Sequence, residues 1–199
     1  MMHPPIRKWR LILCSASPRR RQLLQGLELP VEITSVDVDE TPPMGLPPEE
    51  VAEHLARKKA EAWTGTLAND QVLVTADTTV LLDTANGTVL LNKPADPADA
   101  GRMLAQLGGR THRVVTGVCL RTSTNIHSFA DTARVTFRTL SAEDIAYYVA
   151  THKPLDKAGA YGVQDWIGYT AVTRIEGSFF TVMGLPMHRV WEGLLQLSR

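Results

Sequence analysis

The chain has 199 residues, 44% of them hydrophobic, and its 21 Lys+Arg balance 21 Asp+Glu, so the formal net charge at pH 7 is zero. That balance argues against a general nucleic-acid coat, which needs a basic excess, and the length fits one large domain or two small lobes sharing a core. The apolar run after the basic start is too short for a signal peptide, and no stretch reaches membrane-spanning length, so a soluble cytoplasmic protein is expected.

Residues 1–10 read as a loose N-terminal extension, and Leu11 to Cys14 as a short buried strand. Ser17 before Pro18 reads as an N-cap with proline at the first helical position. The helix then opens with Arg19, Arg20 and Arg21, where a capping box would put Glu or Gln at position 20. Three cations oppose the macrodipole there by a few tenths to ~1 kcal/mol each when exposed. An anion docked on the free N–H groups and guanidinium forks would resolve the conflict, and phosphate is the usual candidate; a basic helix face that happens to begin here is the alternative. Val31 to Val36 alternates like a strand and runs into Asp37-Val-Asp-Glu40. Glu49 to Trp63 has helical periodicity, with Val51, Ala52, Leu55, Ala56 and Ala62 as core positions. Val72 to Ala76 is an apolar strand leading into Asp77, continued by Thr79 to Leu82. Pro97 to Leu107 is a helix capped by Asp96, and Thr111–Arg121 with Ile126–Phe137 form a pair of longer strands. Ser141 and Asp144 cap a helix through Tyr148, and Pro186 to Leu197 is a final amphipathic helix. Cys14 and Cys119 suit buried free thiols better than a disulfide or zinc site. Alternating helices and strands predict an α/β class with a mixed sheet in one compact unit.

Asp77, at the end of an apolar strand and followed by Thr78 and Thr79, is placed where open α/β sheets keep their ligand crevice; the competing reading is a strand-end aspartate satisfying loop N–H groups. Glu40, near Asp37 and Asp39, could add an oxygen ligand for Mg²⁺ or Mn²⁺, although such acidic runs are more often solvated loops. Lys59 lies on a helix with an apolar opposite face, and Lys93 is held by Pro94 and Pro97, so either ammonium could neutralise phosphate. Asp156-Lys-Ala-Gly-Ala-Tyr-Gly-Val-Gln164 packs a charged pair, glycines and an amide into one loop, and Gln164 could read a base edge. His112 could be catalytic; a strand-edge histidine with a structural hydrogen bond is the favoured reading. The chain has no P-loop, GxGxxG, GxSxG, HExxH or CxxC.

The ordered set Ser15-Ala-Ser-Pro-Arg-Arg20, Glu40, Lys59, Ala76-Asp-Thr78, Lys93-Pro94, Thr111-His112 with Thr116-Gly117, Asp156 to Gln164 and Gly184-Leu-Pro186 resembles the Maf proteins. These are nucleoside triphosphate pyrophosphatases related in fold to the inosine triphosphate pyrophosphatases. The resemblance implies a single domain over 1–199: an elongated mixed-sheet α/β fold with two lobes about a central cleft. It also implies a homodimer, and metal-dependent hydrolysis of a nucleoside triphosphate to monophosphate and pyrophosphate. It makes Asp77 the proton acceptor, ties Arg19, Thr78 and Gln164 to substrate choice, and puts Ser15, Ser17, Arg20, Lys59 and Lys93 on substrate, with Glu40 and Asp77 toward the metal. The Asp-Lys-Ala-Gly-Ala-Tyr-Gly-x-Gln form looks like the dTTP/UTP branch, CTP and modified pyrimidine nucleotides being further candidates; the sister branch, acting on 7-methyl-GTP, shows Asp-Ser-Ala-Gly instead. A nucleotide-binding regulator of septum formation with little turnover is the rival, and no nucleic-acid or membrane partner is expected.

Overall fold

The computed structural model describes residue 6 and residues 8–198. In chain order the strands are β1 (Arg10–Cys14), β2 (Val31–Thr34), β3 (Gln71–Thr84), β4 (Gly87–Leu91), β5 (Thr111–Arg121), β6 (Ile126–Phe137) and β7 (Val172–Glu176). The helices are α1 (Pro18–Gln25), α2 (Val51–Ala62), α3 (Pro97–Leu107), α4 (Ala142–His152), α5 (Trp166–Ala171), α6 (Phe179–Met183) and α7 (Met187–Gln196). Among the described residues one seven-stranded sheet runs β2-β1-β3-β5-β6-β7, with β4 on β3. Its β1 pairs are parallel, whereas β3–β4 and β6–β7 are antiparallel, which makes it the mixed sheet of an α/β protein. None of the described helices is long and apolar enough to cross a membrane.

The chain divides into two compact units, the first drawn from Met1–Asp77, Thr116–Asp131 and Gly184–Arg199, the second from Thr78–Val115 and Thr132–Met183. In the first, strand alternation sorts the apolar side chains onto two faces. Leu11, Leu13, Val72, Val74, Val118 and Leu120 share a core with Leu24 of α1 and with Val190 and Leu194 of α7. Ile12, Cys14, Leu73 and Cys119 lie against Ala56 and Ala60 of α2. The buried face of α2 is Val51, Ala52, Leu55, Ala56 and Ala60, as expected for the first four of these; Ala62, also expected in the core, is the last residue of the helix and is exposed there.

The expected loose extension over 1–10 does not hold at its far end. Ile6 and Trp9 are buried in the first core, Trp9 Nε1 donates to Ser198 Oγ at 2.7 Å, and Arg10 opens β1; residues 1–5 and 7 lie outside the described residues. β2 stops at Thr34, short of Val36, because its parallel partner ends with the Cys14–Thr34 pair and Ser15 N closes the ladder on Thr34 O at 3.0 Å.

In the second unit, Val80, Leu82, Val114, Val135, Phe137 and Tyr148 form one core with Leu104 and Leu107 of α3. Asp96 caps α3, and Ser141 with Asp144 closes a capping box on α4. α4 continues past Tyr148 to His152, where Lys153 adopts a left-handed cap at φ 46° ahead of Pro154. His112 is buried, its Nε2 2.8 Å from Tyr161 Oη and its ring edge-on to Phe137, so its place is structural.

α2 lies in close main-chain contact with the sheet at Gly117, where a Cβ would overlap the backbone of Ala52 and Glu53. Gly117→Ala is expected to lower stability by about 1–3 kcal/mol, as overpacking does, which urea denaturation would measure. Burial pushes the imidazolium of His112 from 6.5 down to about 4. The unfolded chain therefore binds a proton that the folded chain refuses. Stability should be fully present above pH 6.5 and fall as pH drops toward 4, by about 3 kcal/mol at ~1.36 kcal/mol per unit. A His112→Gln variant should lose that part of the pH dependence in urea melts at pH 7 and pH 4.5.

Candidate active site

The candidate residues fall into a group in each unit. In the first, period-two alternation along β3 puts Asp77 on the face of Leu73 and Thr75, the side on which α2 lies. Thr75 Oγ1 donates to Ala56 O at 2.6 Å, and Arg121 Nη1 donates to the C-terminal carbonyls of α2, Ala60 O at 2.6 Å and Trp63 O at 3.2 Å. A cation on those last carbonyls also suits the helix dipole. So held, α2 presents Lys59 at the inner edge of its apolar stripe. Lys59 Nζ lies 2.6 Å from Asp77 Oδ1 and 2.7 Å from Glu40 Oε1, with side-chain exposures of 12%, 13% and 42% for Lys59, Asp77 and Glu40.

The loop carrying Glu40 is tied to the same helix, because Lys58 Nζ donates to Asp39 O at 2.6 Å. Asp39 itself is exposed, and hydrogen bonds from Thr41 draw its carboxyl below the usual range. Asp37, further back along the loop, is also exposed.

The turn after β1 forms as the sequence predicts. Ser17 caps α1 through a bond from Arg20 N at 3.4 Å, Ser15 Oγ accepts from Ser17 N at 3.2 Å, and Pro18 opens the helix. Arg19 is half-buried and Arg21 exposed. Arg20 turns inward: Nε donates to Gly184 O and Nη1 to Ala76 O, both at 2.8 Å. Burial lowers its pKa, while Asp77 and Glu40 pull it back up. Arg20 therefore ties α1 to the strand end that carries Asp77 and to the turn before α7.

In the second unit, Thr78 is half-buried on β3, and Lys93 is exposed in the loop between β4 and α3, beside buried Pro94. The Asp156–Gln164 loop is closely held: Gly159 N donates to Asn92 O at 3.1 Å, and Gly159 at φ 65° lies against Val80, where a Cβ would be 3.0 Å from Val80 Cγ2. Lys157 Nζ reaches Asp156 Oδ1 at 2.7 Å and Asp165 Oδ2 at 3.7 Å. Gln164 Oε1 is buried without a hydrogen-bond partner. A buried acceptor in that state is where a ligand donor gains most.

Tyr148 and Asp165 escaped the sequence reading as site residues. The tyrosine hydroxyl accepts from Gly162 N at 3.1 Å and donates to Asp165 Oδ2 at 2.9 Å. The available signal was a tyrosine on the apolar stripe of α4, because a buried phenol needs partners. Cys14 and Cys119 are buried free thiols, and burial raises both, Cys119 to about 12, so neither is a thiolate nucleophile.

Among the described residues no group of three or more His, Cys, Asp or Glu is gathered to hold a metal. Glu40 and Asp77 offer two hard carboxylates, both shared with Lys59. That set fits a divalent ion of the Mg²⁺ type that takes its other ligands from water and substrate phosphate, and does not fit a closed protein cage.

Residues 10–197 match the family model described as Maf-like protein. A dTTP/UTP pyrophosphatase of Porphyromonas gingivalis is 47% identical over 192 residues, covering 95% of this chain and 94% of its own. Proteins of the same name from Phocaeicola vulgatus and Flavobacterium johnsoniae are 45% identical over 193 residues and 43% over 197. They cover 96% and 99% of this chain and 98% and 100% of their own.

A lysine in place of Arg20 has one ammonium for two carbonyls that the guanidinium fork serves together. Arg20→Lys is expected to destabilise the fold by about 1–2 kcal/mol in urea melts, one carbonyl losing its donor.

Proposed function

The chain belongs to the Maf-like family, and from that premise we propose that it hydrolyses dTTP and UTP to the monophosphate and pyrophosphate. The observation that carries the reading is the Lys59 ammonium held between Asp77 and Glu40. The contact fixes Asp77 Oδ1 at the strand end, where a carboxylate is placed to accept a proton from water. Water attacks the α-phosphorus, Asp77 takes its proton, and the bond from the α-phosphorus to the bridging oxygen breaks as pyrophosphate leaves. Ser15, Ser17, Arg19 and the N-terminal end of α1 bind phosphate oxygens, as does Lys93; the guanidinium of Arg20 adds positive charge beside Asp77. Glu40 and Asp77 would hold the divalent cation, whose chemistry is to neutralise charge on the phosphates. Arg19 and Thr78 contribute to substrate choice. Assembly as a homodimer in the cytoplasm belongs to the same proposal.

Pyrimidine selectivity has a support of its own in Gln164. Uracil and thymine present an N3–H donor, whereas cytosine presents a bare N3 lone pair, so an acceptor such as Gln164 Oε1 pairs with the former and repels the latter. Leaving one buried polar group unpaired costs about 1–3 kcal/mol, roughly a 5- to 150-fold preference for UTP over CTP.

Pyrophosphate release from dTTP, UTP, CTP and 7-methyl-GTP, with and without Mg²⁺ or Mn²⁺, tests the activity. Turnover of dTTP and UTP with metal is expected; binding without release under every condition would overturn it in favour of a regulator. Asp77→Asn should cut kcat by about 100-fold or more with the fold intact by circular dichroism. Near-normal turnover would remove Asp77 from the reaction.

A further inference from the structure

Gln164 can discriminate between bases only if its amide is held with the carbonyl toward the base; a side chain free to turn over would offer its NH₂ to cytosine equally well. On both sides of Gln164 the loop is bonded to one phenol. Tyr148 is fully buried on α4, a helix closed by a capping box at one end and a left-handed cap at the other, and its ring stacks on His152 at 4.9 Å between centroids. Its hydroxyl engages the loop two residues before Gln164, at Gly162 N, and one residue after it, at Asp165 Oδ2.

Asp165 occupies the N-cap position of α5, where an aspartate ordinarily binds the helix's own free N–H groups, yet it makes no such bond. Its carboxylate is turned to Tyr148 instead, with Lys157 Nζ 3.7 Å from the same oxygen. Gly162 completes the arrangement. A Cβ there would lie 2.6 Å from Asp165 Oδ2 and 3.1 Å from Gln164 Nε2, so the amide, the carboxylate and the loop backbone are packed into one layer with no room for a side chain.

Resting on the reading of Gln164 as the group that meets the base, we propose that Tyr148 is a positioning residue for base selection, its hydroxyl clamping both flanks of Gln164 and so fixing which end of the amide faces the nucleotide. Burial raises the phenol far above its ordinary pKa, so it remains a donor to Asp165 throughout the working pH range.

Tyr148→Phe deletes the clamp and keeps the ring. Its expected signature is a KM for UTP and dTTP raised about ten-fold, kcat within about three-fold, and a UTP-over-CTP ratio of kcat/KM reduced toward one. Amide exchange in the peptide spanning 161–165 should accelerate, because Gly162 N–H loses its acceptor. A purely structural tyrosine would lower kcat for all nucleotides alike, leaving KM, the ratio and the exchange of that peptide unchanged, and that result overturns the proposal. Gln164→Ala is measured in parallel. If it leaves the ratio unchanged, the base-reading assignment falls and the positioning role with it; if it collapses the ratio while Tyr148→Phe does not, the positioning role alone falls. Should Tyr148→Phe fail to fold, Asp165→Ala, which removes one arm of the clamp, is judged by the same ratio and the same KM.

Discussion

The close seating of α2 on the sheet at Gly117 is the constraint from which the chemistry of the first unit follows. No side chain fits between the strand and the backbone of Ala52 and Glu53, so the helix lies at a distance set by main-chain contact. The stripe Ala52, Ala56, Ala60 continues that contact with the smallest available side chains. Thr75 and Arg121 then bind carbonyls of the helix and remove its freedom to slide. Lys59 inherits this precision: an ammonium on a four-carbon stem is ordinarily mobile, and here its root is fixed and its head is shared by two carboxylates. Asp77 arrives at the same point because a strand places every second residue on one face.

The three arginines at the start of α1 set a conflict with the helix dipole, and the structure resolves it in parts. Arg20 leaves the helix end electrically, directing two donors into the carbonyls of Ala76 and Gly184. Those carbonyls are main-chain acceptors, so the residue first read as an anion contact also serves the fold. Asp77 and Glu40 oppose the desolvation of its guanidinium, which makes the cation, the strand end and the acidic pair one electrostatic group. Arg21 stays exposed, where a charge against the dipole costs only a few tenths to ~1 kcal/mol.

Much of this was legible in the sequence, for reasons that differ by element. α3, β5, β6 and α7 announce themselves through periodic runs of ten to twelve residues, β1 through a short apolar run, and α1 through its Ser17-Pro18 cap. β4 went unread although Asn86-Gly87 between apolar runs is a hairpin signal, with Thr84 facing Gly87 across the turn. β7, α5 and α6 are only five or six residues long, and α5 has no side-chain cap bond, so local pattern could not separate them from loop. Within the site, Asp77, Glu40 and Lys59 were each picked out, yet their meeting on one ammonium was not, since it depends on the position of α2 over the sheet. The pairing of Tyr148 with Asp165 was hidden for a similar reason: the bond joining them spans 17 residues and a change of element.

The two groups of residues are held by different forces, and this has a functional sense. Around Lys59 the partners are charged groups at 2.6 and 2.7 Å, joined by charge-assisted contacts. Around Gln164 the holding bonds run from a peptide N–H to a phenol and from the phenol to a carboxylate, and the atom we propose to meet the base is a neutral carbonyl. A neutral acceptor does not distinguish one triphosphate from another by charge, which all of them share. It distinguishes them by whether a donor or a lone pair comes to meet it, and that is the respect in which uracil and thymine agree with each other and differ from cytosine. A charged group in its place would bind more strongly and select less sharply, because much of its attraction would be long-ranged and indifferent to the edge of the base.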